Sequence, residues 1–103
     1  MRGRALLVTS LLLSALAGCD AGDRLAVGIV VDVRATGVTA VESFTLRSDD
    51  GTVTEFRVGR LDTGPNVFPA THLREHMALA QKVAVRYRDE GGERVAFRLA
   101  DAP

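Results

Sequence analysis

The stretch LAVGIVVDVR, residues 25–34, alternates without interruption. Leu25, Val27, Ile29, Val31 and Val33 fall on one side; Ala26, Gly28, Val30, Asp32 and Arg34 fall on the other. Successive side chains of an extended chain point to opposite faces. A period of two in a β-branched run therefore predicts a long strand with one wholly apolar face. Gly28 lies inside the run, where a residue without Cβ marks a bend or bulge. The residues downstream supply the partners.

After ATGVTA (35–40) the alternation resumes in VESFTLR (41–47), with Phe44 and Leu46 on one face. SDDG (48–51) is a turn signal, since Asp50-Gly51 favours positive φ between two alternating runs. TVTEFRVG (52–59) returns with Phe56 and Val58 on its apolar side, so strands two and three form a hairpin. RLDTGPNVFP (60–69) has Gly, Pro and Asn at loop spacing. ATHLREHMALAQ (70–81) fits a helix of about three turns. Its stripe is Ala70, Leu73, Met77 and Ala80, with Pro69 in the first turn and Thr71 as a cap. So short a helix must pack on the sheet to persist. KVAVRYR (82–88) and RVAFRLAD (94–101), joined by DEGGE (89–93), form a second hairpin. Its inward residues are Val83, Val85, Tyr87, Val95, Phe97 and Leu99.

The order β-β-β-α-β-β over residues 25–101, with a long first strand interrupted by glycine, resembles the OB-fold. The resemblance implies a mainly β chain: a small five-stranded OB-like Greek-key barrel with one short helix. It rests on element order and on no residue motif. Closure suits a domain this small, because it spends few residues on exposed edges. The alternative is an open five-stranded sheet with the helix across one face.

The 103 residues are 47% hydrophobic, 25% charged and formally neutral, which fits one globular domain. Aromatics are sparse and tryptophan is absent, so the core must rest on Val, Leu, Ile and four Phe. The single cysteine, Cys19, excludes an internal disulfide. With only two histidines it also excludes a four-ligand Cys/His zinc site.

Cys19 stands at the end of a leader. MRGR carries two positive charges, and Ala5 to Ala17 is apolar apart from Thr9, Ser10 and Ser14. That run is shorter than the roughly 20 residues needed to span a bilayer and fits the h-region of a signal peptide. Leu16-Ala17-Gly18-Cys19 resembles the lipobox of bacterial lipoproteins. The resemblance implies a diacylglyceryl thioether on Cys19 and cleavage before it, which removes a signal peptide of residues 1–18. Two acyl chains anchor stably where one does not. Residues 19–24 then form the lipidated cysteine and a short tether, and residues 25–103 the barrel domain, held close to the membrane outside the cytoplasm. Loss of Arg2 and Arg4 leaves eleven basic against thirteen acidic side chains, a net of −2.

HLREH (72–76) matches the H-x-x-E-H pattern of inverted zinc peptidases. That family implies a third ligand far downstream and a larger domain, whereas only 27 residues follow His76. A simpler alternative is metal binding by His72, Glu75 and His76, one helical turn apart. Against both stands a packing reading: the histidines border the Leu73/Met77 stripe, His76 the more buried. Arg86, Arg88, Arg94 and Arg98 are outward on the last hairpin. Nucleic-acid binding is disfavoured, since the net charge is slightly acidic and no outward aromatic offers a stacking platform. The arginines pair instead with Asp89, Glu90 and Glu93, or with anionic headgroups. No G-x-S-x-G, P-loop or dinucleotide turn occurs. The expectation is a monomeric, non-catalytic binding module without cofactor beyond the lipid, whose partners are the membrane and another envelope protein. Its first candidate surface is the face of strands one to three, with Arg34, Arg47 and Arg57. Its second is the loop Leu61–Phe68 with His72.

Overall fold

Strand β1 (Arg24–Ala35) has two neighbours at once. In the computed structural model, which describes residues 22–38 and 40–103, its first half, Arg24 to Ile29, pairs antiparallel with β4 (Lys82–Glu90). Its second half, Ile29 to Ala35, pairs antiparallel with β2 (Val41–Arg47). β2 continues into β3 (Val53–Val58), and β4 turns back into β5 (Glu93–Asp101). A short parallel seam, Arg57 beside Val95 and Val58 beside Ala96, joins β3 to β5. The sheet closes as β1-β2-β3-β5-β4. This is the five-stranded OB-like barrel the element order implies, with its helix between β3 and β4. The signal peptide expected over residues 1–18, Cys19 and the start of the expected tether lie outside the described residues.

Gly28 makes the handover between partners sterically possible. A Cβ there would lie 2.3 Å from the Arg47 carbonyl oxygen and 2.8 Å from its carbon. Both are backbone atoms at the end of β2, so no rotamer change relieves the clash. The bend expected at Gly28 is thus a close approach, and the bulge comes later. Val30 pairs with Leu46 and Asp32 with Thr45, leaving Val31 extra. This offset moves Val33 back to the inner side after Ala26, Gly28 and Val30.

The face assignment in β1 therefore differs from the apolar pattern. Leu25, Val27 and Val31 are exposed, and the smaller set is inside. α1 (Leu73–Ala78) packs against β1, and the interior beside it takes small side chains. β2, β3 and β4 place their bulky residues by periodicity, and β5 does so at Leu99. Phe44 and Phe56 stack across the β2–β3 pair at 5.3 Å, and Tyr87 meets Phe56 edge-on at 4.9 Å. Leu46, Val83, Val85, Ala96 and Leu99 complete the wall of the core, and Leu73 and Phe68 plug its end. Phe97 departs from the expected pattern. It is buried but lies outside the central cluster, its ring covered by the Arg88 guanidinium at 4.0 Å. The cause is a register shift between Arg86 and Tyr87, which puts Ala96 opposite Tyr87 and sets Phe97 out of phase.

The turns obey their residues. Gly51 has φ 88°, and Asp50 Oδ1 accepts the Thr52 N–H at 2.9 Å. Only Gly51 of the Asp50-Gly51 pair takes positive φ. That fits a type I turn closed by a glycine bulge. Gly91 and Gly92, both at positive φ, close β4 to β5.

The helix is shorter than the sequence predicts. Ala70–His72 is a 3-10 turn, and α1 covers only Leu73–Ala78. Thr71 caps nothing, and Pro69 precedes the turn in extended conformation instead of entering it. The stop is a Schellman motif. The Ala80 N–H donates to the Met77 carbonyl and the Gln81 N–H to the His76 carbonyl, with Ala80 at φ 53°. Alanine is a strong helix former, so nothing in MALAQ signals this end. Ala80 is consequently exposed and does not extend the apolar stripe.

Two substitutions test this account by denaturant midpoint. Ala80→Gly is expected to stabilise the chain by about 1 kcal/mol, by relieving a left-handed alanine. Gly28→Ala is expected to cost about 3 kcal/mol, as overpacking against backbone does.

Candidate functional site

Among the described residues, two places bring chemistry-bearing side chains together. The first is built on α1. His76 is buried, and both ring nitrogens are engaged. Nδ1 lies 2.9 Å from the His72 carbonyl, one turn back, and Nε2 lies 2.6 Å from Asp101 Oδ1 at the end of β5. The ring stacks on Phe68 at 4.3 Å and 14°. His72 is exposed and faces the same Phe68 ring, at 6.1 Å and 18°. Burial alone would lower the His76 pKa. The bond to the His72 carbonyl and the bond and charge of Asp101, with Glu75 adding to them, outweigh that and raise it above 6.5.

His72, Glu75 and His76 border one depression with Asp101, of about 620 Å³, without forming a ligand set. Among the described residues no group of three or more His, Cys, Asp or Glu is placed to hold a metal ion. His72 contributes its backbone carbonyl to His76, and the nearest carboxylate partner of His76 is Asp101. As the packing reading requires, His76 is the more buried of the pair. The cluster joins the helix to the last strand and to the β3–α1 loop. That loop is itself tied to β5, by the Asp62 N–H to the Phe97 carbonyl at 2.7 Å and the Phe68 N–H to the Leu99 carbonyl at 2.9 Å. Phe68 is thereby a core residue and not a free binding surface.

The second place is a groove of about 710 Å³ over the β3–β5 seam. β2 contributes Glu42 and Ser43, β3 Glu55 and Arg57, and the start of β5 Glu93 and Arg94. Val41 and Val58 give it an apolar floor. Arg57 Nε donates to Glu93 Oε1 at 2.9 Å, and its Nη2 is 4.0 Å from Glu90. The barrel places Arg34 and Arg57 in one row, on either side of Ser43. Arg34 lies outside the groove, with Asp32 at 3.8 Å. Arg47 sits four residues along β2, beside Ile29 and Val53. The three arginines thus share the outer face without converging, and only Arg57 lines the groove.

Sequence reasoning names Arg57 but misses the groove carboxylates. Glu55 occupies an outward position of an alternating strand, whereas Glu42 shares the parity of Phe44 and Leu46 and is exposed at a register shift between β1 and β2. Asp101 as the partner of His76 has no sequence signal, since 25 residues separate them.

The His76 contacts set a pH dependence. The folded-state pKa lies above 6.5, so their contribution is present in full below about pH 6.5. It is lost as the pH rises past the folded-state value. Asp101 is largely exposed, so solvent screens this pair and the effect is modest. Urea midpoints of the wild type are expected to fall from pH 6 to pH 8, about one unit either side of neutrality. Those of His76→Gln are expected to change less over the same range. No family model, no curated protein and no solved structure matches this chain.

Proposed function

We propose that this chain is a lipid-anchored protein of the bacterial envelope, and that its barrel is a non-catalytic binding module with the groove beside Arg57 as its ligand site. The observation that carries the binding role is the position of the groove. It lies on the face of β2 and β3 next to the β4–β5 turn. On OB-like barrels this is where ligands bind, although fold alone chooses no ligand. Three carboxylates and two guanidiniums around two valines suit an extended polypeptide segment of a partner envelope protein better than a polyanion. The anchoring half of the reading rests on the leader and on Leu16-Ala17-Gly18-Cys19. Metal does not enter this reading, because both ring nitrogens of His76 are used within the fold.

A photo-crosslinking residue at Glu42 in the full-length chain, expressed in cells, is expected to give one discrete adduct with an envelope protein. Arg57→Ala with Arg94→Ala should reduce it about tenfold, the loss of roughly 1.4 kcal/mol of contacts. Absence of any adduct, or an adduct indifferent to both arginines, removes the groove from the proposal. Cys19→Ser is expected to abolish palmitate labelling and release the chain from the membrane fraction. A wild-type chain that carries no lipid removes the anchor.

A further inference from the structure

The outer face of β1 carries a contiguous apolar stripe. Leu25, Val27 and Val31 are 54%, 36% and 39% exposed, and Ile29 lies half-buried between them. Val53, 60% exposed, joins through the row Ile29–Arg47–Val53. Single exposed valines need no explanation, but an unbroken row on one strand is a patch. Cations border it. Arg86 stands beside Leu25 with Arg98 beyond, and Lys82 and Arg47 flank Ile29.

Ion pairing separates these arginines from others on the strands. Arg24, Arg34, Arg57 and Arg88 each have a carboxylate partner. Arg47, Arg86 and Arg98 have none among the described residues, a property shared on the strands only by Arg94 in the groove. Acidic groups are sparse on this face. Asp23 at the head of the stripe is held by Arg88 at 2.9 Å and Asp49 by Lys82 at 3.0 Å. Asp32 lies against Arg34, and Glu55 stands at the far margin in the row Asp32–Thr45–Glu55.

We infer that this face rests on an anionic lipid bilayer, with the stripe at the headgroup boundary and Arg47, Arg86 and Arg98 on lipid phosphates. The inference builds on the anchored reading above. β1 begins at Arg24, five positions after Cys19. At about 3.5 Å per residue, that length of chain keeps the strand within roughly 20 Å of the anchor. An apolar strip bordered by cations is the combination that lies in a charged membrane interface. The β3–β5 seam is two strands from β1 by either path round the barrel. The groove therefore points away from the membrane.

The test uses the full-length protein purified from membranes and reconstituted in phosphatidylcholine vesicles containing phosphatidylglycerol. Val27→Cys, on the stripe, and Thr63→Cys, on the opposite loop, are labelled with a membrane-impermeant maleimide. Each rate is referred to the same variant in detergent. Val27→Cys is expected to label on the order of tenfold more slowly in vesicles while Thr63→Cys is unchanged, and Arg47→Gln/Arg86→Gln/Arg98→Gln should restore most of the rate. Equal labelling of both sites overturns the inference. So does protection of Val27→Cys in native membranes but not in vesicles, which assigns the face to a protein partner. The wild-type chain reports separately on the anchor: maleimide labelling of Cys19 refutes lipidation, whereas an unreactive Cys19 with a freely labelled Val27→Cys leaves the anchor standing and refutes only the resting face.

Discussion

The barrel depends on one contact between main chains: the passage of β1 over the Arg47 carbonyl at Gly28. One strand pairs with β4 on one side and β2 on the other, and the handover happens within a residue or two of that glycine. Without it the two sheets could not share a strand, and the edges of β2 and β4 would stay open. A chain with no internal disulfide and few aromatics has little else to close it. The bulge at Val31 is the second half of the same device, since it turns the strand and resets which side chains face the core.

How much of this was legible varies with the kind of signal. Strands β2 to β5 carried alternating patterns with bulky inward residues, and Phe44, Leu46, Phe56, Val83, Val85 and Leu99 lie where the period of two places them. β1 misled because the smaller residues Ala26, Gly28 and Val30 are apolar as well, while the Asp32 and Arg34 that mark their side as polar lie beyond the bulge at Val31. Periodicity distinguishes polar from apolar, not large from small, and here it was size that decided the face. The helix end at Ala80 and the phase slip at Phe97 were invisible for a related reason. Each is set by backbone hydrogen bonding that the side chain does not announce.

The site followed the same division. Arg57 was legible as an outward arginine on the second hairpin strand. Its surroundings were not, because the groove is made where β3 meets β5 in parallel, a pairing between segments far apart in the chain. The H-x-x-E-H spacing showed the opposite limit. It placed His72 and His76 one turn apart, but the partners of a buried imidazole are chosen by the fold. The fold gave His76 a carbonyl, a carboxylate from the last strand and an aromatic ring from a loop.

That parallel seam has a mechanical meaning. It joins β3 to β5 through only two residue pairs, with the Gly59 N–H on the Ala96 carbonyl extending it. Every other neighbour in the wall is held along five or more. Local opening takes the path of fewest hydrogen bonds. The wall should therefore breathe first at this join, where amide protons would exchange soonest and where the lining of Arg57, Val58 and Glu93 has the freedom to widen around a guest while the glycine-closed side of the cylinder keeps its shape.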